Sequence, residues 1–336
     1  MAGGAGKVVG RILATLIVVG LLVGAGFAYL HRQEIADHFA AQNFNASEEV
    51  SALADRLDLT DAGRRIFFAS HPTLDASQNF NAQCSEVGHS EGSHVLGCFA
   101  DGVIHLFKVT DERLNGIVEV TAAHELLHAA FSRLGADERA ELSERLREAY
   151  DLLAVDDPVL AERMSVYEGL SEEGFANELH SVLGTEVRSL PDWLEQHYSR
   201  WFGERGVIVD FFDAYHTVFG ELQLRADALQ AELSALRESI EARSAAYDAA
   251  VQQFNTEVAD FNRRNEAFEF SNSEAEFWAI RNELQSRSEQ LQSDLAQLQS
   301  DISRYEEMRV ELEQLGAVNA ELNEHLNSQL APPAAP

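Results

Sequence analysis

The sequence predicts a mainly α protein of α+β class, with a small β-hairpin or sheet inside a helical domain, a transmembrane helix ahead of it and an antiparallel coiled-coil hairpin behind it. Three observations carry this reading: an apolar run near the N-terminus, one pair of strand-like segments, and a heptad-spaced stripe through the final third. With 336 residues, 46% of them apolar, the chain is long enough for one sizeable core and a second element.

The apolar run "ILATLIVVGLLVGAGFAYL", Ile12 to Leu30, holds nineteen residues without a charge, close to the ~20 a helix needs to cross a bilayer. Lys7 and Arg11 precede it, whereas Glu34 and Asp37 soon follow Arg32. The positive-inside tendency therefore leaves residues 1–11 as a short cytoplasmic N-terminus and places the rest outside the cell membrane. A signal cleaved after "GFA" is the competing reading, and it exports the chain as well. Lys and Arg number 25 against 56 Asp and Glu, a formal charge of −31, which excludes a phosphate backbone as a natural partner.

Export changes how the two cysteines are read, because thiols outside the cytoplasm are usually oxidised. Cys84 and Cys98 flank a Gly- and Ser-containing loop, and a disulfide across it is favoured. The alternative is a structural zinc site of Cys84, His89, His94 and Cys98, whose spacing fits no common ribbon or knuckle.

Ser47 and "EEVSALADRL" read as a capped short helix, with another beginning near Thr60. "VLGCF" and "GVIHLFKV", separated by Ala-Asp, read as a hairpin. Asp111 is expected to cap a helix carrying "GIVEVTAAHELLHAAFSRL" that ends near Gly135, followed by an amphipathic helix from Asp137 to Leu153. Ser171 to Leu183 reads as a helix closed by Gly184, and Pro191 opens one through Phe202. From residue 219 to 330, two apolar stripes step by three, four or seven, one from Leu229 to Phe268 and one from Phe277 to Leu326. Ser273 and Glu276 between them form a capping-box pattern, so the reading is a helical hairpin with arms on the order of 70 Å, one long dimeric rod being the alternative. Residues 331–336, within "LAPPAAP", read as a disordered tail.

The chemistry concentrates in "TAAHELLHAA", Thr121 to Ala130. On a helix, His124 and His128 lie one turn apart on one side, so both imidazoles can bind one zinc ion. Glu125 is turned about 100° from His124, placed to reach a water held by the metal rather than the metal itself. Such a carboxylate takes the proton as the water attacks and delivers it to the leaving amine. The uncharged flanks make the helix apolar enough to be buried, where two histidines and a glutamate would be costly without a metal.

With these residues the chain resembles the zincin metallopeptidases, over roughly Val103 to Phe202; the domain implied spans 31–218. Phe131 and Leu134 stand where metzincins carry a Gly and a third His, so the resemblance is to the gluzincins, whose third ligand is a glutamate on a later helix. "EGFA" at Glu173 is similar to the ligand segment of neutral aminopeptidase families, and "NELHSVLGT", Asn177 to Thr185, to that of the thermolysin family. The two acids point about 140° apart on a helix, so only one can face the metal. Glu178 is favoured, being mid-helix with small Ser181 beside it, whereas Glu173 sits at the helix start, where an acid is ordinary. Val182 occupies the position of the Asp that buttresses a ligand histidine in the thermolysin family. Tyr198, His197, Tyr167 and His180 are candidates for stabilising the oxyanion, and His105 reads as a sheet-face residue.

The expectation is a single-pass, membrane-anchored zinc peptidase with Glu125 as base, His124, His128 and Glu178 as ligands, Zn2+ as cofactor and a polypeptide as substrate. The coiled coil would serve a protein partner or self-association. The rival is a non-catalytic coiled-coil scaffold that recruits or activates an envelope-remodelling enzyme; a third possibility is hydrolysis of a non-peptide amide.

Overall fold

The computed structural model describes residues 5–84 and 95–328, with side chains from 16 onward except 17 and 18. His89, His94 and the tail 331–336 therefore lie outside the described residues. The chain divides into two compact units, Met1–Val218 with Leu322–Pro336, and Phe219–Glu321.

In the first unit, helices α1 (Ala5–Leu30), α2 (Arg32–Asn43), α3 (Glu48–Arg56) and α4 (Asp61–Ala69) lead to strand β1 (Thr73–Asp75) and helix α5 (Ser77–Cys84). Strands β2 (Gly97–Ala100) and β3 (Val103–Phe107) follow, then helices α6 (Ile117–Ser132), α7 (Ala136–Asp156), α8 (Pro158–Ser165), α9 (Glu172–Thr185) and α10 (Asp192–Tyr198). Two long helices, α11 (Gly206–Glu266) and α12 (Glu274–Leu326), complete the chain. The protein is mainly helical with a small sheet. Among the described residues no helix is long and apolar enough to cross a membrane. The side chains of 12–15, 17 and 18, part of the apolar run, lie outside them.

Local chemistry explains several starts. Ser47, Thr60 and Ser171 are N-caps whose hydroxyls accept from the backbone N–H three residues on, at 3.2, 3.1 and 3.1 Å. The sheet has order β1-β3-β2. Strand β1, which the sequence pattern did not reveal, pairs parallel to β3 with Thr73 opposite His105, and β2 pairs antiparallel with Cys98 opposite His105. Ala100 faces Val103, so the hairpin turn is Asp101-Gly102, with φ 52° and 83°, rather than Ala-Asp. Both central residues take the positive φ of a type I′ turn, which matches the twist of the strands.

Period-two alternation divides the sheet between two cores. Ile104 and Leu106 join the main cluster with Leu126, Leu127, Leu179, Val182 and Leu183, where α6 and α9 pack together. Phe107 and Cys98 point the other way, into a small cluster with Phe80 and Cys84. Cys84 and Cys98 form a disulfide. Those two cysteines are thus spoken for by each other rather than by a metal.

Helix boundaries differ from the sequence reading where backbone breaks intervene. Asp111 caps only a single 3-10 turn, Glu112–Leu114, and α6 starts after Gly116, which is left-handed at φ 102°. Helix α9 runs through Gly184 instead of ending at it, and α10 stops at Tyr198, four residues before Phe202.

In the second unit, Phe219–Glu321, the two long helices run antiparallel. Arg225 pairs with Glu311 at 2.5 Å, Arg287 with Glu257 at 2.7 Å, and Arg304 with Glu232. Leu229 and Leu233 pack on Met308, and Phe261, Phe270 and Phe277 cluster near the tip. Exposed ion pairs contribute little individually, so the apolar stripe carries this pairing. The structure thus has a hairpin, not a single rod, with α11 beginning well before residue 219.

The disulfide closes a loop with a sequence separation of 14 residues. Replacing both cysteines by Ser is expected to cost about 3 kcal/mol, which lowers Tm by roughly 6–12 °C. Calorimetry with and without reductant checks it; an unchanged Tm would show that the bridge does not stabilise the unit.

Candidate metal centre

Helix α6 is apolar on nearly every side, which is why it is buried along its length. It carries four acidic or imidazole groups inside: Glu119 at 3% exposure, His124 at 5%, Glu125 at 3% and His128 at 8%. The two rings meet edge to face with centroids 4.7 Å apart. Helix α9 packs across them and brings in Glu178, whose Oε2 lies 3.5 Å from His124 Nε2 and 3.6 Å from His128 Nε2. One ligand atom from each of the three residues falls within 4.8 Å of the others. Tetrahedral zinc with N and O bonds of 2.0–2.2 Å holds its ligand atoms about 3.3–3.6 Å apart, so the two imidazole–carboxylate separations suit this ion, as does the chemistry of the donor set.

Close approach of α6 and α9 makes that convergence possible. A Cβ on Gly184 would fall 2.3 Å from Leu127 Cδ1 and 2.9 Å from Tyr198 Cε1. Only hydrogen fits there. Gly97, at the start of β2, plays the same part toward the sheet: a Cβ would fall 2.6 Å from the Thr121 methyl and 2.8 Å from Glu125 Oε1. The edge strand β2 thereby lies flat against the candidate base.

Ser181 Oγ and His128 Nδ1 are 3.3 Å apart and buried, an outer contact that orients the ring so that Nε2 faces Glu178. Val182, which stands in the buttressing position by sequence, is instead fully buried in the apolar core. Burial would raise the Glu178 carboxyl, but the charge of His128, the hydrogen bond and charge of His124 and the more remote Arg163 outweigh it and hold the group below its ordinary value. Glu173 is elsewhere, an exposed side chain 3.1 Å from Arg139 Nε.

The four residues proposed for the oxyanion serve the core. Tyr198 donates its O–H to the His180 carbonyl at 2.6 Å, and burial pushes its phenol up. Tyr167 is fully buried. His180 and His197 share a hydrogen bond between their Nε2 atoms at 3.0 Å, beside Trp201. Burial, then the charges of His197 and His128, keeps His180 well below the usual imidazole range, and burial with Arg200 and Arg145 lowers His197 to about 4. None of the four lines the cleft beside the candidate metal centre. His105 faces Thr73 Oγ1 at 3.1 Å on the sheet and belongs to no metal-ligating cluster among the described residues.

A cleft of about 290 Å³ reaches His124 and Glu125, with Thr121, Arg163, Tyr215 and His216 on its walls. Arg163 Nε contacts Glu186 Oε1 at 3.3 Å. Tyr215 and His216, on the first turns of α11, were missed in the sequence; a Phe212, Tyr215, His216 stripe at helical spacing was the available signal. A larger groove of about 640 Å³ contains neither histidine. Among its charges, Lys108 pairs with Glu49 at 2.5 Å and Arg56 with Glu119 at 2.8 Å.

Two outcomes follow from this geometry. Ser181→Ala is expected to weaken zinc binding about 10–100-fold, and Glu178→Gln by more, while Glu173→Gln leaves it unchanged, as competition with a zinc dye measures. For His197, the unfolded chain takes up a proton below the ordinary value of 6.5 and the folded chain only below about 4. Stability supplied by the neutral ring is therefore full above 6.5 and lost as pH falls toward 4, by up to about 3 kcal/mol. Melting of metal-free protein against pH checks this, with a flatter profile expected for His197→Gln.

The chain matches no family model, no curated protein and no solved structure, which leaves the geometry of the site as the ground for a functional reading.

Proposed function

We propose that the protein is a zinc-dependent peptide hydrolase anchored in a membrane, working on its outer face. The observation that carries this reading is the convergence of His124 Nε2, His128 Nε2 and Glu178 Oε2, at 3.5 and 3.6 Å, with the buried Glu125 beside them on the wall of an open cleft. His124, His128 and Glu178 would hold the ion. When bound, it supplies Lewis-acid polarisation of a carbonyl and a more acidic water. Glu125, pinned by β2 at Gly97, accepts the proton of the attacking water on its carboxylate and returns it to the leaving amine. Tyr215 and His216 are the donors on the cleft wall for the oxygen that becomes negative. Strand β2, at the sheet edge, offers backbone groups to an extended polypeptide.

Two observations support the location. Helix α1 presents Leu16, Val19, Leu21, Leu22, Val23 and Phe27 as exposed side chains, which suits a lipid environment. The Cys84–Cys98 disulfide suits an oxidising compartment. A scaffold acting through the hairpin Phe219–Glu321 is the second reading, favoured by the length of α11 and α12. It assigns no chemical role to Glu125.

The test is metal analysis and casein-type proteolysis on the purified full chain. One zinc per chain is expected, absent in His124→Ala and Glu178→Gln but retained in Glu125→Gln, whose hydrolysis falls by about 10²–10⁴-fold. Zinc that survives loss of His124, or no zinc in the wild type, would overturn the peptidase reading.

A further inference from the structure

The cleft beside His124 and Glu125 has the end of helix α12 as part of its wall. Leu326, the last residue of α12, lines it with Leu96, Ile117, Val120 and Phe212, and is only 7% exposed. A leucine on the wall of an open cleft that also bears His124 and Glu125 is unlike one in a closed core, where every neighbour is apolar.

The segment around it is tied down on both sides. Ahead of it, His325 Nε2 lies 3.7 Å from Asp111 Oδ2. Beyond it the helix has ended, which frees the Ser328 carbonyl to accept from Asn81 Nδ2 at 3.0 Å, while Ser328 Oγ donates to Asn81 Oδ1 at 2.6 Å. One side-chain amide thus reads a main-chain carbonyl and a small hydroxyl together, the way a peptide backbone is held in a binding groove. The ties are hydrogen bonds and a long ion pair, each weak in competition with water, so the segment can be exchanged for another peptide.

We propose that Leu322–Ser328 narrows the substrate cleft as a built-in competitor, and that displacing Leu326 from the cleft wall opens a subsite that takes a leucine-like side chain of a polypeptide substrate. This rests on the hydrolase reading for its word "substrate", but the competition itself is read by binding alone. Displacing the segment uncovers the cleft, and a peptide offering a charged residue at that position is refused.

The experiment uses the full chain in a Glu125→Gln background, so that a bound peptide persists, and a fluorescent heptapeptide of sequence LNEHLNS, identical to residues 322–328. Leu326→Asp and Asn81→Ala are expected to raise its affinity at least about tenfold, as follows when the open form is less than a tenth of the native population. The peptide with Asp in place of its second leucine is expected not to bind. Asn81→Ala guards against a misfolded Leu326→Asp, since it leaves α12 intact, and unchanged zinc content shows that the centre is whole. Equal binding to parent and both variants, or equal binding of the two peptides, overturns the proposal. With Glu125 restored, cleavage of a leucine-containing quenched peptide should rise in both variants through KM. If nothing is cleaved while binding behaves as described, the hydrolase reading fails and the subsite stands.

Discussion

The site depends on how closely α6 and α9 approach. Gly184 lets Leu127 and Tyr198 come in where a methyl group would collide, and that contact sets the depth at which Glu178 meets the two histidines. Well-packed interiors transmit shifts of a few tenths of an ångström rather than absorbing them. The three donor atoms therefore inherit their spacing from an apolar contact several residues along the helix. Neither α6 nor α9 could be moved outward to relieve a strain without opening the donor set.

The polar groups inside this apolar wedge are held by different means. His128 has Ser181 behind it, Glu125 has the bare backbone of Gly97 against its carboxylate, and Glu178 is held ionised by its imidazole neighbours against the effect of burial. By contrast the His180–His197 pair is kept neutral by burial and by nearby arginines, and it forms part of the core with Tyr198 and Trp201. Two pairs of histidines lie a short distance apart in the same unit. Among the described residues a carboxylate, Glu178, faces the His124–His128 pair, and of the two pairs it is this one that groups as a possible cation site.

Local patterns were legible in the sequence where a short-range rule decides the outcome. The spacing of His124 and His128, the caps at Ser47 and Ser171, and the antiparallel stripes of the second unit follow from helix geometry within a few turns. The Asp101-Gly102 turn was misplaced by one residue because Ala100 still pairs with Val103. Long-range placement was the harder part. Strand β1 is three residues long and gains its identity only from β3, and Gly184 reads as a helix stop until Leu127 is seen against it. Tyr198 and His197 looked like donors because polarity shows in a sequence and burial does not. Tyr215 and His216 were overlooked because a Phe212, Tyr215, His216 stripe at helical spacing marks a packed helix face as readily as a cleft wall.

The bond between Asn81 and Ser328 joins residues 247 positions apart. A ribosome adding about 5–20 residues per second needs roughly 10–50 s to cover that stretch. Everything that builds the His124, Glu125, His128 and Glu178 centre has left the ribosome long before Ser328 exists. Each newly made molecule thus passes through a period with its cleft uncovered, a window of vulnerability during biogenesis that whatever receives the nascent chain has to tolerate or shield.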